Sequence, residues 1–194
     1  MMAHIMERYF TNTPDVALTD RLAEALLVSI VEAAPKAVAN DQDYEAHATL
    51  MWAGMLAHNN TVGVGREQDW ASHHIGHEIS ALYDTAHGAS LAVVFPAWMK
   101  FVYKHDVKRF VQFATRVWDV DPTGKDDEAV ALEGIERMQA FFVSIGMPAT
   151  LEQAGGRRED IPALAAKVVN GKTGRFVTLY PEQIEEVYTL ACEK

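Results

Sequence analysis

Apolar positions recur at three- and four-residue intervals along nearly the whole chain, so the sequence predicts helix after helix. In residues 1–10, Met2, Ile5, Met6 and Tyr9 share one face, and Thr11-Asn12-Thr13-Pro14 stops the element. From Thr19 to Ala39, Leu22, Leu26, Leu27, Ile30 and Val31 make a core stripe, with Thr19 as the expected N-cap and Pro35 as a kink or the loss of the last turn. Asp41 to Asn60 forms a third helix whose Leu50, Met51, Ala53, Gly54 and Ala57 predict close packing through small residues; Asn59-Asn60 and Gly63-Val64-Gly65 end it. A histidine-bearing helix follows Asp69. Ser90 to Lys104 is apolar and interrupted at Pro96, and Lys108 to Trp118 resumes the period with Phe110, Val111, Ala114 and Val117. Asp119 to Asp127 is a loop. Asp127 to Ile145 turns Val130, Ile135, Met138, Phe141 and Phe142 inward until Gly146-Met147-Pro148. Leu151 to Ala154 makes a single turn, a helix runs from Asp160-Ile161-Pro162 through Val169 to Asn170-Gly171, and Pro181 begins the last. Phe176 to Leu179 is expected as an extended connector. The expected fold is all-α, one multi-helix domain over 1–194.

Composition narrows the partners. The 194 residues, 49% hydrophobic, suffice for one sizeable core. A net charge of -10 without a basic patch excludes nucleic acid. Cys192 stands alone, so there is no disulfide framework or cysteine cluster, and a reducing, cytoplasmic setting is expected. No apolar run reaches membrane-span length and the N-terminus lacks signal-peptide order, so a soluble protein with no membrane partner is expected.

The chemistry concentrates in Trp70 to Gly88, which holds four of the eight histidines. His73 and His77, four apart, project from one helix face at metal-ligand spacing. The zinc-protease signature is excluded because position 74 is His. His87, after the polar break at Tyr83 to Ala86, is placed to swing back toward the preceding helix. Spacing alone therefore makes His73 and His77 the pair and His87 a third. His74 points roughly 100° away and is expected at the surface or behind the ligands. His47, His58 and His105 are expected as solvated or helix-end residues. Glu78 and Asp84 are candidates to orient an imidazole or simply solvated carboxylates. Trp52, Trp70, Trp98 and Trp118 are expected in the core, with Phe95 and Trp98 the candidates to line an apolar substrate site.

The run from Gln68 to Tyr103, with His73-x-x-x-His77, nine residues, His87, then Gly88 and, eight further on, Pro96, resembles the metal-binding core of the iron-containing alcohol dehydrogenases, most of all their butanol-dehydrogenase-like branch. The resemblance implies a dehydroquinate synthase-like helical domain and the C-terminal half of an NAD(P)-dependent enzyme interconverting primary alcohols and aldehydes. It implies Fe²⁺ or Zn²⁺ on His4, His73 and His87, with His4 the histidine of an Asp-x-x-x-His opening whose aspartate would lie one residue before Met1. It puts His77 beside the nicotinamide, to steer the ring or relay a proton, where spacing had made it a ligand. It also implies an N-terminal nucleotide-binding domain as partner, of which nothing appears here: Gly63-Val64-Gly65 lacks a dinucleotide-binding fingerprint. A homodimer is expected, and the chain alone is expected to be inactive. The alternative is a non-catalytic helical module serving metal binding or dimerisation.

Overall fold

The computed structural model describes residues 1–168 and 171–193. Nine α-helices follow one another in these residues: α1 (Met2–Tyr9), α2 (Ala17–Ala39), α3 (Tyr44–His58), α4 (Ala71–Tyr83), α5 (His87–Val102), α6 (Val107–Val117), α7 (Asp127–Ser144), α8 (Ile161–Lys167) and α9 (Pro181–Leu190). The only pairing between extended segments among them is an isolated antiparallel bridge, Thr173 to Leu179, in the stretch read as a connector. The architecture is all-helical.

α5 is the axis. Every residue from Ser90 to Met99 is buried, as expected of a helix that is apolar all round. α4, α7 and α9 pack on it, α2 pairs with α3, and α6 pairs with α7. Local chemistry sets the helix starts: the side chains of Asp43, Asp106 and Asp126 accept from the backbone N–H of Ala46, Arg109 and Ala129. At α9, Pro181 occupies the first turn and Gln183 accepts from the Tyr180 N–H.

α1 is enclosed on most sides, with Ile5, Met6, Tyr9 and Phe10 fully buried. A buried polar network holds it. Asp20 of α2 pairs with Arg66 and with Arg109 of α6, while the Tyr9 hydroxyl donates to Glu24, which also receives Gln112 and Arg116. Pairs this deep stabilise weakly against apolar replacements but tolerate few alternative arrangements, so they fix where α1 lies.

Several boundaries differ from the sequence expectation. α2 starts at Ala17, and Thr19, inside it, donates to the Val64 carbonyl instead of capping. α5 starts at His87 because the Ala86 carbonyl accepts from both Ala89 and Ser90. Both helices run unbroken through Pro35 and Pro96, since tertiary packing outweighs one missing N–H. Leu22 and Met51 are exposed rather than core, and Trp52 is 64% exposed. Val169 and Asn170, the expected end of α8, lie outside the described residues.

Gly134 of α7 sits directly against α6: a Cβ there would meet Ala114 at 2.5 Å from Cβ and 2.8 Å from Cα. Helix propensity alone favours Gly134→Ala by about 1 kcal/mol. The collision with backbone is expected to win, with a net loss of about 1–3 kcal/mol in urea denaturation. A gain in stability would show that α6 and α7 separate freely.

Candidate metal centre

The site begins with a carboxylate. Glu7 of α1 is fully buried; its Oε1 accepts from the His73 backbone N–H at 2.9 Å and lies 2.7 Å from His73 Nδ1, and its Oε2 accepts from the Trp70 N–H at 2.7 Å. Trp70 is the N-cap of α4 in a left-handed conformation, φ 69°, and makes no side-chain cap of its own. Glu7 thus satisfies the orphan N–H groups of α4 from another helix and places a carboxylate at its positive end. Asp69 supports the same terminus, accepting from Ala71, Arg175 and Phe176.

Burial governs the protonation of this group. It pushes Glu7 up to about 8, against two backbone N–H donors and the Arg8 charge, which pull the other way. It pulls His4 and His73 down to about 3, with neighbouring imidazoles adding to the effect, and lowers His87 for the same reasons. The rings are therefore held neutral, the ligand form. In the carboxylate form of Glu7 both oxygens accept backbone N–H groups and Oε1 also accepts from His73 Nδ1–H. The lone pair of His73 Nε2 then faces His4 Nδ1, 3.3 Å away. Two nitrogens each about 2.1 Å from one tetrahedral ion lie about 3.4 Å apart, so this pair fits a shared divalent cation.

The other histidines continue the row. His87, at the first position of α5, has its ring centre 5.4 Å from that of His73; His77 is 5.1 Å from His87 and 6.1 Å from His73. Both are exposed, and among the described residues neither side chain hydrogen-bonds a carbonyl. As placed, no three His, Cys, Asp or Glu side chains among the described residues enclose a common point. The structure presents a preset His4–His73 pair with the third imidazole one ring away.

His74 turns from the row and bonds Thr173 Oγ1 at 2.7 Å. His47 is exposed on α3, and His105 bonds Asn12. Neither Glu78 nor Asp84 hydrogen-bonds an imidazole among the described residues; that role falls to Glu7, which the sequence reading passed over. Its signal was a lone acid among the apolar positions Met2, Ile5, Met6 and Tyr9. Trp70 was expected in the core, yet its ring stands edge-on to His4 and His73 with the Arg8 guanidinium over its face. His58 is exposed at the end of α3, as expected, and its ring centre is 4.2 Å from that of His4. Phe95 lines an apolar cavity of about 220 Å³ whose rim includes Gly88 and Ala3, the neighbours of His87 and His4. Trp98 does not line it; fully buried, it packs on Phe10, Phe95 and Phe176.

An all-helical scaffold with a histidine row at the buried start of one helix defines the class, a helical histidine-cluster domain. The family follows from comparison with known proteins. The family model described as "Fe-containing alcohol dehydrogenase family, C-terminal" matches residues 1–192, and the chain belongs to this family. It is 38% identical over 185 residues to the probable NADH-dependent butanol dehydrogenase 1 of Bacillus subtilis, across 95% of this chain and 48% of that protein. It is likewise 38% identical over 168 residues to the NADPH-dependent aldehyde reductase YqhD of Escherichia coli, across 85% of this chain and 42% of that protein. The solved structure of NADH-dependent butanol dehydrogenase A from Thermotoga maritima matches with a TM-score of 0.92 and 35% identity, covering 99% of this chain and 50% of that one. The chain spans about half the length of the curated relatives it matches. No helix among the described residues is long and apolar enough to cross a membrane.

The shifted groups predict opposing pH limbs in chelator-treated protein. His4 and His73 titrate near 6.5 unfolded and about 3 folded, so their contribution is full above 6.5 and is lost as pH falls toward 3. Glu7 titrates near 4.5 unfolded and about 8 folded, so its contribution is full below 4.5 and is lost as pH rises to 8. Urea midpoints followed from pH 8 to 4 are expected to show an acid limb that is shallower in His4→Asn and an alkaline decline that is shallower in Glu7→Gln. Superimposable profiles would place both groups in water.

Proposed function

We propose that this chain is the metal-binding half of an NAD(P)-dependent alcohol dehydrogenase that interconverts primary alcohols and aldehydes. Its relatives carry names specifying NADH with butanol and NADPH with aldehydes. The observation that carries the reading is the 3.3 Å approach of His73 Nε2 to His4 Nδ1, fixed from behind by Glu7. His4, His73 and His87 are the ligands assigned to Fe²⁺ or Zn²⁺, both suited to imidazole. When bound, such an ion would supply Lewis-acid stabilisation of the negative charge that develops on the substrate oxygen as its proton leaves in alcohol oxidation, or as hydride reaches the carbonyl carbon in the reverse direction.

The chain's own residues do the rest. Glu7 holds His73 in one tautomer and one orientation, and Trp70 walls the two inner imidazoles. His77, exposed beside His87, is the residue assigned to the nicotinamide side, where its ring nitrogen can pass a proton between substrate and solvent. The apolar cavity at Phe95 suits an aliphatic rather than a charged substrate tail. The nicotinamide site itself is assigned to polypeptide outside these residues.

Elemental analysis of the purified protein tests the assignment. Near-stoichiometric Fe or Zn is expected in the wild type and less than a tenth of that in a His73→Ala, His87→Ala double variant. Equal metal in the two proteins would remove the histidines from the centre.

A further inference from the structure

We infer that Ser80 and Ser90 form a positioning pair for His87, setting where the third imidazole of the centre stands. The inference rests on the metal-centre reading above and concerns two hydroxyls to which that reading gives no role. His73, Gly76, His77 and Ser80 recur at i, i+3, i+4 and i+7, so they share one face of α4. That face meets the start of α5. Its histidines stand opposite His87, and its small residues stand opposite Ser90 and Leu91.

Two contacts fix the separation of the helices there. A Cβ at Gly76 would meet Leu91 Cδ2 at 3.1 Å and Ser90 Oγ at 3.3 Å, so α5 lies closer than a side chain at this position would comfortably allow. One turn on, the Ser80 and Ser90 hydroxyl oxygens are 3.0 Å apart. Ser90 Oγ also lies 2.9 Å from the His87 carbonyl. A carbonyl can only accept, so the single Ser90 hydroxyl proton goes to His87 and Ser80 donates to Ser90. The chain of bonds therefore runs in one direction, from α4 through a fully buried hydroxyl to the backbone of His87.

The first turn of α5 needs this support. Ala86 is its N-cap and supplies no side-chain cap, and among the described residues no hydrogen bond holds the His87 ring. The ring therefore stands where its backbone puts it. Thr85 Oγ1 donates to the Ala154 carbonyl at 2.7 Å, so the chain is pinned just before His87, and Ser90 pins the carbonyl just after. A bond from a serine to the carbonyl three residues back is ordinary in helices, and Ser144 makes one to Phe141. What distinguishes Ser90 is its second partner, on the helix that carries His73 and His77, which converts a local bond into a constraint between imidazoles.

Cobalt(II) titration of the purified, chelator-stripped protein tests this, read by visible absorption and by competition with a chelator of known affinity. Ser90→Ala and Ser80→Ala are each expected to weaken Co²⁺ binding about threefold to tenfold, less than the loss of a partner on the ring itself, and to shift the absorption bands. His87→Ala is expected to weaken binding further. Ser80→Thr, which keeps the donor at a half-buried position, is expected to hold both readouts at wild-type values. Ser144→Ala, which removes the same kind of bond at the end of α7, is expected to change neither. Alanine favours helix and Ser80 can turn to water, so circular dichroism is expected to show the serine variants folded. Wild-type affinity and spectrum in both alanine variants, with His87→Ala altering them, would overturn the pair's role and leave the centre standing. An equal effect in Ser144→Ala would reduce that role to helix stability. A wild type that fails to bind Co²⁺, or a His87→Ala variant that binds as the wild type does, would overturn the metal-centre reading as well.

Discussion

The site depends on one buried carboxylate. Glu7 leaves water to meet two backbone N–H groups and one imidazole of a helix that begins more than sixty residues later in the chain. A buried carboxylate without such partners costs several kcal/mol, so the helix start and the acid stabilise each other or both fail. Because the same oxygen serves the backbone and the ring of His73, the start of α4 and the tautomer of a ligand candidate are set by one contact.

That contact requires α1 to be placed within a few tenths of an ångström, and the rest of the fold supplies the placement. Apolar burial of Ile5, Met6, Tyr9 and Phe10 provides most of the free energy, while the Asp20, Arg66, Arg109 and Glu24 network limits the arrangements in which that burial can occur. α5 does the equivalent on the other side, carrying His87 at its first residue on a helix that is wholly buried from Ser90 to Met99. Rigid elements rather than loops therefore deliver His4, His73 and His87, which suits a site whose geometry must be preset.

Helical periodicity was sufficient to read the fold, because each amphipathic stripe leaves a 3.6-residue trace in the sequence. The exceptions have physical causes. Pro35 and Pro96 read as breaks, yet a packed helix survives one lost hydrogen bond; Trp52 and Met51 read as core from their chemistry, yet the face of α3 that carries them points outward. At the site, the His73-x-x-x-His77 spacing located the cluster but could not say which rings converge. The missing pieces were Glu7 and Arg8, whose roles are defined by contacts across 49 to 66 residues of sequence that no local pattern encodes.

The central claim is that Glu7 holds His73 as the Nδ1–H tautomer with Nε2 free for an ion, and long-range ¹H–¹⁵N NMR of the histidine rings tests it most directly. In chelator-treated protein at a pH above the Glu7 titration, which burial pushes up to about 8, His73 is expected to show a protonated Nδ1 and a bare Nε2, with added Zn²⁺ moving the Nε2 resonance and leaving Nδ1 protonated. A His73 ring in the Nε2–H form, or one whose two nitrogens average as they do in water, would contradict the account.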